Sequence, residues 1–154
     1  MKTLSVQERD FIADTEIEDE PNANPTVPSG ITVVNSFNDL VFVKDYSIGG
    51  ISTETTAKWK ETLGRSSAVN YYVKVNGGET IGLSSVATGV SYAIFEMKED
   101  TLYSGGQGHS SWLTTNVTLN ANTKYIAVSF KNGDGNTSFT NEQLALLPTY
   151  LEFK

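Results

Sequence analysis

From Ile31 to the end of the chain, short runs of β-branched and aromatic residues are interrupted by turn-forming residues about every ten positions. This spacing predicts an all-β fold of eight or nine short strands, arranged as an antiparallel, jelly-roll-like β-sandwich. The turn Asn76-Gly77-Gly78 predicts a hairpin that pairs residues 67–75 with residues 79–83. One helical turn is expected around residues 141–146. The remaining predicted strands cover residues 31–34, 40–43, 90–97, 112–119, 124–130 and 148–153.

Residues 1–30 differ from the rest of the chain in charge. They hold seven acidic and two basic residues, a net charge of −5, within a 154-residue chain whose net charge is −7. The other residues hold eleven acids and nine bases. Three of the four prolines lie at Pro21, Pro25 and Pro28 and favour an extended backbone. The sequence therefore predicts an extended acidic N-terminal arm, residues 1–30, followed by a β-sandwich head domain, residues 31–154.

Apolar residues within the acidic arm suggest that it binds a surface. Ser5 and Glu8 have the spacing of a helix capping box, so a short helix is predicted there. A helix this short is marginal alone and needs a surface to lie on. One interpretation is an anchoring arm that orders against a partner, and the other is a disordered tail. The residues assigned to anchoring are Leu4, Phe11, Ile12 and Ile17.

Composition excludes several classes of function. The acidic balance argues against binding to nucleic acid or to anionic lipid, both of which require basic surfaces. With no Cys and one His, the chain lacks the ligands of ordinary zinc, iron–sulfur or multi-histidine metal sites, and no cofactor is expected. No apolar run reaches the roughly 18 residues of a membrane span. The first residues show no signal-peptide pattern, so use without standard secretion is expected.

Catalytic arrangements are weak. His109 and Ser110 are adjacent, and neighbouring strand residues point to opposite faces, which is a poor geometry for a nucleophile and its base. Glu96, Glu99 and Asp100 cluster at a turn, where acids are usually solvated, although paired carboxylates also serve glycoside hydrolysis. The chain is therefore expected to be non-enzymatic. A glycosidase or peptidase is the least favoured alternative.

A glycine-rich loop at residues 104–108 has aromatic and polar neighbours suited to sugar binding. Sugars stack on exposed rings and accept hydrogen bonds from neutral polar side chains. The candidate glycan-binding residues are Tyr103, Gln107, His109 and Trp112. The alternative for Trp112 is that it packs in the core of the sandwich.

Motif order gives one family resemblance. An aromatic strand that ends in a glycine turn (residues 71–81) precedes an aromatic strand (92–95), a late strand (122–130) and a Pro-x-Tyr ending (148–153). In this order the chain resembles β-sandwich modules of bacteriophage fibre, baseplate and host-interaction proteins. An acidic arm joined to a β head is also similar to head-fibre and capsid-decoration proteins.

The resemblance implies a structural virion protein, made in the host cytoplasm and located in the virion. It implies that the arm binds capsid or other virion proteins, that the head forms a homo-oligomer, most simply a trimer, and that the head contacts host glycans. Since carbohydrate-binding modules share the sandwich, a stand-alone carbohydrate-binding module is the alternative.

Overall fold

Ten strands and one short helix make up the computed structural model, which describes residues 27–49, 55–103 and 111–154. The all-β sandwich predicted from the sequence is confirmed; the N-terminal arm lies outside the described residues. The strands are β1 Thr32–Val34, β2 Val43–Ile48, β3 Trp59–Ser67, β4 Tyr71–Lys74, β5 Thr80–Leu83, β6 Val90–Lys98, β7 Thr101–Leu102, β8 Val117–Thr118, β9 Tyr125–Asn132 and β10 Leu151–Phe153. The helix α1 covers Asn141–Leu146, and 3₁₀ turns cover Phe37–Asp39 and Leu147–Thr149.

The larger sheet is organised around β9. One edge of β9 pairs with β6 along its whole length, and the other edge pairs with β4 near its start and β3 near its end. Strand β2 continues the sheet beyond β3, β1 lies parallel to β4, and β7 pairs with β6. The smaller sheet places β5 between β10 and β8, with both pairings antiparallel.

Strand β6 is buried on both faces, which explains its nearly continuous apolar sequence. Tyr92 and Ile94 belong to the core between the sheets, together with Ile81 of the smaller sheet. The intervening Ala93 and Phe95 belong to a second core cluster on the opposite face. Because side chains alternate along a strand, each face contributes separately to the core. The second core cluster consists of Ile48, Ala57, Tyr72, Ala93, Phe95, Met97, Leu102, Tyr125 and Ala127.

Several predicted strand boundaries are wrong. The run 40–43 is not a strand over its first three residues; Leu40 and Phe42 are buried without ladder pairing. The run 67–75 is divided by a turn in which Asn70 has a φ of 65°. The nine-residue strand β3 was not predicted, because its sequence WKETLGRSS is polar. Of the predicted strand 112–119, only β8 and an isolated bridge between Leu113 and Tyr92 form.

The predicted Asn-Gly hairpin is also wrong in its pairing. The chain does turn at Asn76-Gly77-Gly78, with the N–H of Glu79 donating to the carbonyl of Asn76 at 3.3 Å. However, β4 pairs with β1 and β9, whereas β5 pairs with β8 and β10. The turn therefore carries the chain from one sheet to the other. Its position at the end of the sandwich creates the cleft described next.

Candidate binding cleft

A cleft of about 750 Å³ opens at the end of the sandwich where β4 and β6 finish and β9 begins. Its walls come from three connections that are distant in sequence: the turn after β4, the turn between β6 and β7, and the turn before β9. The volume lies within the ordinary range of ligand-binding pockets. The sheet topology, rather than any continuous motif, brings these segments together.

Two of these turns are in contact, and Gly77 permits the contact. A Cβ atom at Gly77 would overlap the backbone carbonyl of Ala121. The N–H of Gly78 donates to the carbonyls of Leu119 and Asn120, at 3.2 and 3.3 Å. The N–H of Val75 donates to the carbonyl of Lys124 at 3.0 Å. The turn at residues 120–123 is therefore held closely against the turn after β4.

The side chain of Glu96 also holds the turn at residues 120–123 in place. Its side chain is fully buried in β6. Its Oε1 accepts hydrogen bonds from the backbone N–H of Asn120 at 2.8 Å and from the hydroxyl of Thr123 at 2.6 Å. Buried acceptors of this kind are expensive to remove, because their donors are left without a partner. Glu96 is thus a positioning residue for the cleft rather than a solvated carboxylate.

Three lysines give the cleft a local positive charge. Lys74, Lys98 and Lys124 line it and are exposed, and among the lining residues that the structure describes Glu99 is the one acid. The described lining therefore carries a net charge of +2 (three lysines against one glutamate), whereas residues 31–154 together carry −2. The lysines are the last residue of β4, the last residue of β6 and the residue before β9. An anion would meet an attractive field here on a protein that is otherwise acidic.

Neutral hydrogen-bonding groups and an aromatic ring border the lysines. Asn122 lines the cleft and donates from its Nδ2 to the hydroxyl of Tyr103 at 3.0 Å. The Nζ of Lys98 lies 5.6 Å from the centre of the Tyr103 ring, a cation–π distance. Tyr103 therefore lies beside the cleft and contacts two of its lining residues.

A smaller groove of about 320 Å³ continues from the cleft and shares Lys74, Val75 and Asn76 with it. Asn35 and Phe153 line this extension. The Phe153 ring is partly exposed and stacks on Phe37 with ring centres 5.0 Å apart. Glu79 also lines this groove, and its Oε1 accepts a hydrogen bond from the N–H of Asn76 at 2.7 Å. The combined surface thus runs from one aromatic ring to another, with lysines, amides and the carboxylate of Glu79 between them.

Trp112 lies in a different place. It packs against the second core cluster, half-buried, and its ring has two cations nearby: the guanidinium of Arg65 at 5.3 Å and the Nζ of Lys131 at 5.8 Å from the ring centre. Arg65 also donates to the carbonyl of Gly135 at 3.1 Å. Trp112 is thus neither exposed on both faces of its ring nor buried in the core between the sheets, and its sugar-binding and core interpretations both stay predictions.

The structure does not bring Tyr103 and Trp112 together. The N–H of Tyr103 donates to the carbonyl of Glu96, whereas Leu113, next to Trp112, pairs with Tyr92. These attachment points on β6 are four residues apart, about 13 Å along a strand. Gln107 and His109, the other two candidate glycan-binding residues, lie outside the described residues, and the four-residue platform stays a prediction. The anchoring candidates Leu4, Phe11, Ile12 and Ile17 also lie outside them.

The candidate acidic cluster does not form a shared site. Glu96 is buried and holds the 120–123 turn, whereas Glu99 is exposed with a φ of 60° in the β6–β7 turn. Within residues 27–49, 55–103 and 111–154, no three His, Asp or Glu side chains are grouped to hold a metal ion. Those residues also include no helix of the length and hydropathy that crossing a bilayer requires.

The sequence interpretation missed the lysines of the cleft. Lys74 and Lys124 each appear in sequence as a single charge at a strand end, and Lys98 is followed by Glu99 and Asp100. Both patterns are typical of solvated surface. The one available signal was their shared position beside a predicted turn. Because strand pairing was predicted wrongly around residue 76, that signal could not place them together.

Comparisons of the chain with protein-family models, with curated proteins and with solved structures find no match. The functional argument therefore depends on the fold, on the division of charge along the chain and on the cleft.

Changing Gly77 to alanine should lower the free energy of unfolding by about 1–3 kcal/mol, because the added Cβ requires the 120–123 turn to move. Urea unfolding followed by circular dichroism measures this. Gly78→Asn is the matched control: Gly78 has a φ of 86°, but a Cβ added there would have no atom within 4 Å, and asparagine tolerates this backbone region. Equal losses in the two variants would contradict a role for close turn contact.

Proposed function

We propose that this chain is a non-enzymatic structural protein of a bacteriophage particle: a head-fibre, capsid-decoration or tail-fibre subunit. Its acidic N-terminal segment binds capsid or other virion proteins, and its β-sandwich forms a homotrimer that is presented outward. The observation that carries the proposal is the division of the chain into a −5 segment of residues 1–30 and a β-sandwich of nearly balanced charge. Such a division suits one part for attachment and the other for display.

Chemistry in the described part of the sandwich supports binding. The polar groups that line the cleft are ammonium, amide and hydroxyl groups and the carboxylate of Glu99, which recognise a ligand by charge and hydrogen bonding. The carboxylate of Glu96, one of the three acids of the candidate acidic cluster, accepts hydrogen bonds from the 120–123 turn. A buried carboxylate with this task does not meet a substrate. The proposed function therefore includes no catalytic residue.

A stand-alone carbohydrate-binding module is the second candidate. It is favoured by the cleft itself, where Asn122 and the ring of Tyr103 stand beside Lys98. The two candidates differ in one respect that can be measured: a virion protein remains with purified particles, and a stand-alone module does not.

Particle association tests the proposal. Phage particles produced from the genome that encodes this chain should contain it after density-gradient purification. Because the arm is acidic, its binding surface on the particle should be basic, and washing at about 1 M salt should release the chain, since the Debye length is then about 3 Å. Mass spectrometry of the pellet and the wash measures the release.

Matched charge variants locate the attachment. Glu18→Gln/Glu20→Gln should lower the salt concentration needed for release, whereas Glu61→Gln/Glu152→Gln, which removes the same charge from exposed positions of the sandwich, should not. Absence of the chain from purified particles would overturn the virion assignment. Release that is the same at low and high salt would overturn the electrostatic attachment.

A further inference from the structure

We propose that the cleft lined by Lys74, Lys98 and Lys124 binds an anionic glycan, meaning a polysaccharide whose sugar units carry carboxylate or phosphate groups. The inference rests on the proposed non-enzymatic binding role and gives that role a site and a ligand class. It moves the expected sugar contact away from the platform around Trp112 to the opposite end of β6. Of the two predicted glycan-binding residues that the structure describes, Tyr103 belongs to the new site and Trp112 does not.

Charge gives the first argument. Three of the nine basic residues of the sandwich line this cleft, against Glu99 among its described lining residues and Glu79 in the adjoining groove. Gathering like charges costs energy through mutual repulsion, and an acidic ligand removes that cost. Each ammonium also offers three donors to carboxylate or phosphate oxygens.

Uncharged amides and aromatic rings in the groove give the second argument, because they favour a glycan over a simple anion. Asn76 and Asn122 are exposed and present amide donors and acceptors, which match sugar hydroxyls. Partly exposed rings stand at the two ends of the combined groove, Tyr103 beside Lys98 and Phe153 beside Asn35. A sugar ring can place its C–H face on an aromatic ring while its hydroxyls reach the amides.

Rigidity gives the third argument. The 120–123 turn that carries Asn122 is held by hydrogen bonds to Glu96 and by close contact with Gly77. Polar groups on a preformed surface lose less conformational entropy on binding than groups on a free loop. The cleft is therefore organised before a ligand arrives.

The acidic N-terminal segment of a second copy of the chain is the competing occupant. Its charge suits the lysines, but its apolar residues need apolar pockets. The apolar side chains among the cleft residues are those of Val75 and Tyr125, which are buried, and Ala121, which is small. In the adjoining groove the exposed apolar ring is Phe153, which already stacks on Phe37. The described surface therefore offers one exposed apolar ring and no pocket that would take both Phe11 and Ile12, so the observations favour a glycan.

Binding to the full-length chain should be measured by isothermal titration with defined probes. The probes are oligogalacturonate, which carries carboxylates, and poly(glycerol phosphate) bearing sugars, which carries phosphates. Dextran of matched length is the neutral control, and poly-L-glutamate and a peptide of residues 5–20 represent acidic polypeptide. We expect binding to at least one anionic glycan, none to dextran and weaker binding to both polypeptides. Raising the salt to about 1 M should weaken the glycan complex strongly.

Two pairs of variants test the site. Lys98→Gln/Lys124→Gln should raise the glycan Kd about tenfold to hundredfold, whereas Lys44→Gln/Lys60→Gln, an equal loss of charge at exposed positions elsewhere, should leave it unchanged. Asn122→Ala should raise the Kd for glycan about fivefold and leave binding of poly-L-glutamate unaltered. Thermal unfolding confirms that each variant remains folded.

Any of four results would overturn the inference. The first three are no binding of either anionic glycan, equal weakening by the two lysine pairs, and tighter binding of the residue 5–20 peptide than of any glycan. The fourth is binding that is lost in Trp112→Ala but kept in Lys98→Gln/Lys124→Gln, which would place the sugar at Trp112. All of these measurements use the isolated chain. They are independent of whether the chain is found in phage particles, so failure of one proposal is distinguishable from failure of the other.

Discussion

Replacing Glu96 with alanine should lower the free energy of unfolding by about 3–5 kcal/mol. The substitution removes a fully buried side chain from β6 and leaves a cavity. It also removes the acceptor for the N–H of the half-buried Asn120 and for the hydroxyl of the buried Thr123. The two costs add because one side chain both fills the space in the core and provides the hydrogen-bond acceptor. Urea unfolding of the variant beside the original chain measures the loss.

Glu96→Gln is the matched control, since it keeps the shape and one carbonyl oxygen that can accept the same two hydrogen bonds. Its loss should be smaller than that of Glu96→Ala by at least about 1 kcal/mol. Glu61→Ala, at an exposed position of β3, should change stability by less than about 0.5 kcal/mol. If Glu96→Ala were as mild as Glu61→Ala, Glu96 would not support the cleft. Crystals of Glu96→Gln should retain the 120–123 turn unchanged.

The parts of the fold that sequence predicted are those where local pattern and tertiary role agree. Residues 90–97 and 124–130 are apolar enough to be buried, and they form β6 and β9, the paired strands at the centre of the larger sheet. The helical turn at Asn141–Leu146 is also local, because Thr140 and Gln143 form a reciprocal capping box. No distant residue is needed to specify any of these elements.

The parts that sequence missed depend on distant partners. Strand β3 has a polar sequence and becomes a strand because it pairs with β2 on one side and with β9 on the other. The irregularity in its pairing with β2 also involves residues distant in sequence. Asp45 has a φ of 62°, and its Oδ1 accepts a hydrogen bond from the N–H of Gly64 at 3.3 Å. Alternation of apolar and polar residues in the sequence cannot reveal a strand of this kind.

The same reasoning applies to the cleft. A local Asn-Gly signal correctly predicts that the chain turns after β4, but it carries no information on the sheet that β5 joins. The lysines at 74, 98 and 124 become neighbours only through the pairing of β4 and β6 with β9. A site assembled from three strand ends therefore has no continuous motif. The sequence indicated Tyr103 as a glycan-binding candidate because of the neighbouring glycine-rich loop, without reference to Lys98 and Asn122, the two cleft residues that it contacts.

Alkaline pH should destabilise the protein through its buried tyrosines. Burial raises the pKa of Tyr92 from 10.0 to about 12, and burial also raises the pKa values of Tyr72 and Tyr125. For Tyr125 the charge of Glu99 adds to the shift, and for Tyr72 the charge of Asp100 does so. Between pH 10 and pH 12 the unfolded chain loses the phenolic proton of Tyr92 while the folded chain retains it. Stability is therefore fully present below pH 10 and falls as the pH rises through 12.

The expected loss from Tyr92 alone is about 2–3 kcal/mol by pH 12. Tyr92→Phe isolates this contribution. At neutral pH the variant should be less stable by about 1 kcal/mol, because the Tyr92 hydroxyl bonds to the carbonyls of Thr115 and Ile81 are lost. Above pH 10 the difference should shrink and then reverse, since phenylalanine has no proton to lose. Urea unfolding of both proteins at intervals between pH 8 and pH 12 measures the difference directly, and a difference that stays constant over this range would show that Tyr92 titrates alike in the folded and unfolded chains.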